Sequence, residues 1–215
     1  MIIQPWNFRE INKGKISPNT LYRSGHPIRN GMQVDDIILT ANNAKIKTII
    51  NLSDNIFLLE SKIENCSWYK EIYEGDNVIT LDMVGYDILG DQFNEKIKCG
   101  LIFMIEHEPP YLIHCEAGVD RTGFLLIILE SFMEMMFDDI VKDYMLSFID
   151  EGEYSVKDYW TGSEFILNTF SVVKGKLVTT HENIQELSEK YLREKIGLNV
   201  NELEILKNKL INDRR

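Results

Sequence analysis

A chain of 215 residues with 44% hydrophobic content can bury a sizeable core and is an ordinary size for one domain, residues 1–215. A net charge of −11 repels nucleic acid and anionic membrane surfaces, so neither is expected as a partner. Three cysteines, Cys66, Cys99 and Cys115, form no even disulfide framework, and the N-terminus has neither a basic segment nor a long apolar one, so a reducing, cytoplasmic location is expected.

In chain order, residues 1 to 20 read as an irregular lead-in punctuated by Pro5, Gly14 and Pro18. Leu21 to Ser24 is a short strand ending at a Gly25-His26-Pro27 turn, where Arg23 and His26 stand either as ligand-edge groups or as parts of a solvated turn. Val34, Ile37, Ile38 and Ala41 recur at helical spacing and predict a helix ending near Asn42-Asn43; Lys47 to Leu52 follows as a β-branched strand. A helix is expected over Ile56 to Ile63, then a polar connector to Asp76. Val78 to Leu81 is a strand with Asp82 at its end, and residues 83 to 91, with two glycines and acids at Asp87 and Asp91, form a candidate mobile acid loop. Phe93, Ile97, Leu101 and Ile105 carry a helix to Pro109, and Tyr111-Leu112-Ile113 is a short buried strand.

Residues 122 to 136 are apolar on every face and predict a central buried helix, too short to cross a bilayer. Asp138-Asp139 opens a helix through Phe148, and an aromatic segment with Tyr154, Tyr159, Trp160 and Phe165 continues the chain, read as packing. Ile184, Leu187, Tyr191 and Leu192 form an amphipathic helix stopped by Gly197, and Asn199 with Glu202 caps a last helix carrying Leu203, Leu206 and Leu210. Strands alternating with helices imply βαβ units. The fold class is therefore α/β, with a mainly parallel central sheet, helices on both faces and extra C-terminal helices.

Chemistry concentrates in His114-Cys115-Glu116-Ala117-Gly118-Val119-Asp120-Arg121-Thr122-Gly123. The segment leaves a strand and opens a helix, where unpaired amides and the helix dipole attract an anion, and Gly118 lets the backbone curl so that amides from Glu116, Ala117, Gly118, Val119, Asp120 and Arg121 converge on it. Cys115 sits where dipole, amides and Arg121 all favour a thiolate, which makes it the nucleophile candidate. Arg121 offers a planar fork for two phosphate oxygens. Thr122 can donate to the sulfur, and His114 is an orienting group rather than a proton carrier. The five fixed positions are expected by chance in about one chain per thousand of this length. Cys66 and Cys99 read as packing residues.

This stretch resembles the His-Cys-x5-Arg-Ser/Thr signature of the cysteine-dependent tyrosine phosphatases, and the chain as a whole is similar to their bacterial atypical branch. Asn7-Phe8-Arg9-Glu10, Leu21-Tyr22-Arg23-Ser24-Gly25, Val141-Lys142-Asp143-Tyr144-Met145-Leu146-Ser147 and the Tyr191-Leu192-Arg193 with Gly197-Leu198 region each resemble segments of that branch. The resemblance implies the tyrosine phosphatase fold, phosphotyrosine protein or a small phosphomonoester as substrate, a phospho-cysteine intermediate, and no metal or cofactor. It turns Arg23 toward support of the site. Val119 stands where the branch often has Lys, which makes multiply phosphorylated inositol lipids poorer substrates. Asn51-Leu52-Ser53-Asp54 lacks an arginine found in the corresponding Asp-Leu-Arg-Ser.

Three residues compete as general acid. Asp82 ends a separate core strand, as the family's acid commonly does; Asp120 lies in the loop, where pairing with Arg121 would keep it ionised; Asp87 has a mobile loop in its favour. An inositol phosphate phosphatase, a rhodanese-like sulfurtransferase and a phosphate-binding module without catalysis are the competing functions. The second lacks need of an arginine and a separate acid, and the third of a thiol.

Overall fold

The computed structural model describes residues 7–29, 32–83, 90–149 and 153–211. Among these, five strands form one sheet in the order β1 (Arg9–Ile11), β2 (Leu21–Ser24), β7 (Tyr111–His114), β5 (Thr48–Asn51) and β6 (Val78–Thr80). β2, β7, β5 and β6 are mutually parallel, and β1 adds an antiparallel edge. A second pairing joins β3 (Ile28–Arg29) to β4 (Met32–Gln33).

The period-two alternation of strand side chains decides what covers each face. Leu21, Ile50 and Ile113 point into a core shared with α4 (Asp91–Glu106), α5 (Asp120–Phe132), α6 (Phe137–Met145), α7 (Val156–Lys174), α8 (Ile184–Glu194) and α9 (Val200–Ile211). Tyr22, Ile49 and Leu112 point the other way, into a smaller core with α1 (Asp35–Asn43), α2 (Ile56–Ile63) and α3 (Ser67–Glu74). The predicted α/β architecture with helices on both faces is the one observed. The inner strands β2, β5 and β7 are buried on both sides, which is why β5 and β7 read as largely apolar runs rather than alternations.

The helices expected from Val34 to about Asn43 and over 56–63 are present as Asp35–Asn43 and Ile56–Ile63, and the strands expected over 21–24, 47–52, 78–81 and 111–113 as Leu21–Ser24, Thr48–Asn51, Val78–Thr80 and Tyr111–His114. Six readings need correction. The lead-in contains β1, three residues long and carrying an Arg9 that is buried only because it is paired, so no apolar pattern marks it. The turn after Gly25 continues into the β3–β4 hairpin. The polar connector holds α3, whose inward stripe is Tyr69 with Ile72 and Tyr73, diluted by charges between them.

The aromatic segment is α7, opened by a capping box in which the Ser155 side chain accepts from the Asp158 amide and the Asp158 carboxylate takes the Ser155 N–H. Its buried face is Gly162, Ser163, Ile166 and Phe170. A Cβ on Gly162 would lie 2.7 Å from the Met145 side chain, so small residues bring α7 against α6 where the sequence shows breakers rather than core. α5 starts at Asp120 and stops at Phe132, and α6 ends at Met145, each shorter than its apolar pattern. No helix among the described residues is long and apolar enough to cross a membrane.

Registers pair Ser24 with His114, Asn51 with His114 and Asn51 with Thr80, so four parallel strands end level. Gly25, Leu52, Leu81 and Cys115 are therefore the first residues beyond one edge. In an open α/β sheet that carboxyl edge is where ligands bind.

Candidate active site

The loop from Cys115 to Val119 leaves β7 at this edge and enters α5 at Asp120. Three outside donors hold its carbonyls in succession. The His26 N–H donates to the Glu116 carbonyl at 3.1 Å, Asn7 Nδ2 to that of Ala117 at 2.9 Å, and Arg23 Nη2 to that of Gly118 at 2.7 Å. Carbonyls tied outward leave the intervening amides facing inward, and among the described residues none from Glu116 to Val119 has an acceptor. With the N-terminus of α5 behind them, these amides are the donors that an anion at this loop would use.

Gly118 is essential to that curl. Its φ is +72°, and a Cβ there would lie 2.4 Å from the Ser24 carbonyl oxygen and 2.6 Å from the Gly25 nitrogen. Cys115 is buried at the floor, 2% exposed. Its carbonyl is within 3.4 Å of His114 Nδ1, and His114 Nε2 lies 3.0 Å from the Tyr69 hydroxyl. Asn51 Nδ2 donates to that hydroxyl at 3.3 Å, so the hydroxyl donates onward to Nε2 and the imidazole proton sits on Nδ1. Burial first, and then His26 beside it, keep the His114 ring well below its ordinary pKa. An orienting role fits this arrangement.

Arg121 is half-buried and its Nη1 donates to the Met83 carbonyl at 3.4 Å. That contact brings the residue after Asp82 to Arg121. Asp82 is half-buried just past β6 at the same edge as Cys115, while Asp120 is exposed at the start of α5. Asp87 lies outside the described residues. Glu116 and Ala117 are exposed at the mouth and Val119 is half-buried. Thr122 is fully buried and its hydroxyl has no hydrogen-bond partner among the described residues, so the expected bond to the sulfur is not made.

Beneath the loop, Arg23 is joined to a buried ion network. Asp143 takes Arg9 Nε at 2.6 Å on one carboxylate oxygen and Arg23 Nη1 on the other; Ser147 Oγ accepts from both arginines at 3.0 Å. Thus the family-like segments around Arg9, Arg23 and Asp143 converge on one structure whose output is the bond to Gly118. Burial pushes the Asp143 carboxyl up, but the charges of Arg23 and Arg9 outweigh it and hold the group below the usual carboxylate range.

Glu130, almost fully buried beside this network, goes the other way: burial first, then Asp143, raises it well above the ordinary value, and it shares a hydrogen bond with Asp143. A raised carboxyl contributes its stability fully below the unfolded value of about 4.3 and loses it as pH rises through the folded value. Glu130→Gln mimics the protonated form. Its Tm is expected to exceed that of the native chain from about pH 6 upward, with the difference shrinking toward pH 4, as followed by thermal melts across that range.

His26, left open by the sequence, is fully buried and takes part in a third network, with Asp54, Lys62 and Asn51. Asn7, Asn51 and Tyr69 were likewise unmarked as site residues. Asn7 lay in a segment legible only by resemblance, and Tyr69 in one read as connector.

Comparison with known proteins agrees with this geometry. The profile of the tyrosine phosphatase family matches residues 69–212, which spans α3 to α9 and the whole loop. No curated protein matches. Among solved structures, the core catalytic domain of the PP-IP phosphatase SIW14 from S. cerevisiae, in complex with citrate, superposes with a TM-score of 0.50 at 20% identity. The match covers 88% of this chain and 95% of the yeast one, a likeness of fold.

Proposed function

This chain belongs to the tyrosine phosphatase family, and from that premise we propose that it hydrolyses phosphomonoesters through a phospho-cysteine, with phosphotyrosine as its preferred substrate. The observation that carries this reading is the loop whose three successive carbonyls are held by His26, Asn7 and Arg23 beside a buried Cys115, with its own amides lacking acceptors among the described residues and Arg121 in the first turn of the helix that follows. The Cys115 sulfur attacks phosphorus in line; the bond to the leaving oxygen breaks and Asp82 gives that oxygen its proton. Arg121 and the amides of Glu116 to Arg121 hold the equatorial oxygens as charge builds on them. Water then attacks phosphorus, Asp82 takes its proton, the P–S bond breaks and phosphate leaves. Asp82 is preferred to Asp120 because Arg121 reaches the Met83 carbonyl next to it.

The mouth of the site supports a substrate with one phosphate. Exposed Glu116 and Asp120 stand at the two ends of the loop, Val119 brings no cation for a second phosphate, and the neighbouring Arg29 is 3.6 Å from the Glu116 carboxylate. The yeast structural neighbour is described as a PP-IP phosphatase, and inositol pyrophosphates are therefore the competing substrate class for this site. Reduced thiols suit a cytoplasmic setting, and Cys66, Cys99 and Cys115 are all free.

A panel of phosphotyrosine peptides, phosphoinositides, inositol phosphates and inositol pyrophosphates, assayed without added metal, tests this. Phosphotyrosine peptides are expected to have the highest kcat/KM. An inositol compound that surpasses every peptide by about tenfold or more would reassign the substrate class, since tenfold equals a full 1.4 kcal/mol of transition-state preference.

A further inference from the structure

We infer that the buried His26–Asp54 pair is a positioning device for Asp82, tying the segment that carries the acid to the phosphate loop. The inference rests on the reading of Asp82 as general acid.

Both ends of the device are visible. At one end, the His26 backbone N–H holds the Glu116 carbonyl of the loop. His26 Nδ1 accepts the Ile28 N–H at 2.9 Å, so the ring proton is on Nε2 and is donated to Asp54 Oδ2 at 2.6 Å. At the other end, the Asp54 carbonyl accepts the Asp82 N–H at 2.9 Å, and the Leu52 carbonyl accepts the Met83 N–H at 2.9 Å. Asp82 has φ +46°, the left-handed region, where a residue with a Cβ persists only if its surroundings hold it. These two hydrogen bonds are that hold, and they come from the Leu52–Asp54 turn.

The turn itself is fixed by the Asp54 carboxylate. Besides His26 it takes Lys62 Nζ at 2.7 Å on Oδ1 and Asn51 Nδ2 at 3.0 Å on Oδ2, while Asn51 Oδ1 accepts the Ser53 and Asp54 amides at 3.0 Å each. Asp54 is 1% exposed and His26 fully buried, and both ring nitrogens and both carboxylate oxygens are taken by protein partners, which leaves none of them for substrate. They act through Asp82, and the cation of Lys62 offsets the cost of burying the carboxylate.

The experiment compares Asp82→Asn, Asp120→Asn, Asp54→Ala and Asp54→Asn on phenyl phosphate and on an ester with an activated leaving group. Asp82→Asn is expected to slow phenyl phosphate by about 10²-fold and the activated ester by less than about threefold, the signature of lost acid catalysis. Asp54→Ala should show the same leaving-group bias at about tenfold on phenyl phosphate, Asp54→Asn should recover most of it because its amide oxygen still accepts from His26, and adding Asp54→Ala to Asp82→Asn should cost less than about twofold more. His26→Gln tests the same pair if Asp54→Ala does not fold. Equal slowing of both esters by Asp54→Ala and His26→Gln, while Asp82→Asn keeps its bias, overturns the positioning role and leaves the acid assignment standing. A bias shown by Asp120→Asn and not by Asp82→Asn removes the acid assignment, and the device falls with it.

Discussion

Cys115→Ser is expected to lower turnover of any phosphomonoester by more than about 10⁴-fold while leaving the affinity for inorganic phosphate within about threefold. The loop is shaped by bonds that do not involve the sulfur: carbonyls of Glu116, Ala117 and Gly118 held by His26, Asn7 and Arg23, and the Cys115 carbonyl within reach of His114. Oxygen for sulfur therefore preserves the anion site and removes the nucleophile, because a serine hydroxyl keeps its proton at neutral pH. His114 is no substitute base, since its Nε2 is engaged by Tyr69 and its Nδ1 faces the Cys115 carbonyl. Steady-state kinetics beside equilibrium dialysis of phosphate separates the two effects. In the native chain the same geometry makes phosphate protect Cys115 from iodoacetate while leaving exposed Cys99 unaffected; Cys66, buried and with its thiol pushed up by that burial, stays unreactive. Loss of phosphate binding along with activity in Cys115→Ser would mean that the thiol organises the loop.

What could be read in the sequence is what depends on neighbours in the chain. The 56–63 helix, the strand from Tyr111 and the Asn199–Glu202 cap, in which the Asn199 N–H donates to Glu202 at 2.7 Å and the Glu202 N–H to Asn199 at 3.0 Å, are local patterns and stand as expected. The loop was legible for the same reason, since Cys115, Gly118 and Arg121 lie within seven residues. The groups that hold the loop were not, because they come from 95 and 110 residues away. Lys62 is the clearest case. Its place in the last turn of α2 suggests only a favourable helix end, and nothing nearby hints that it closes on Asp54 beside His26. Likewise Arg9 and Arg23 look like surface cations until Asp143 arrives from the far half of the chain. Buried polar networks are satisfied through tertiary structure, so their members carry no periodic signal.

Gly118→Ala, the addition of one methyl group, is expected to lower kcat/KM by about 10³-fold and to destabilise the fold measurably. Two costs combine at this position. The backbone stands at φ +72°, where an L-residue loses about 1–2 kcal/mol relative to the right-handed region. The new Cβ would also be 2.4 Å from the Ser24 oxygen, 2.6 Å from the Gly25 nitrogen and 2.6 Å from the Ser24 carbonyl carbon. These are backbone atoms at the end of β2, pinned by parallel pairing of Ser24 with His114, so they cannot swing aside as a side-chain tip can. The loop must lift instead. Lifting it pulls the Gly118 carbonyl from Arg23 and turns the adjacent amides away from the phosphoryl oxygens. One lost oxyanion donor costs about 10²–10³-fold, and a displacement near 1 Å elsewhere in a site costs about 10²-fold, so the combined expectation exceeds either alone. Thermal melting and kinetics on the same sample give the two effects side by side. Asn at this position tolerates the left-handed region better than Ala but brings the same Cβ. If Gly118→Asn recovers activity, the conformational cost dominates; if both variants lose it equally, the contact with the Ser24–Gly25 backbone is what requires glycine. Activity within about threefold of native in Gly118→Ala would show that the amides do not converge on the phosphoryl group as the loop geometry requires.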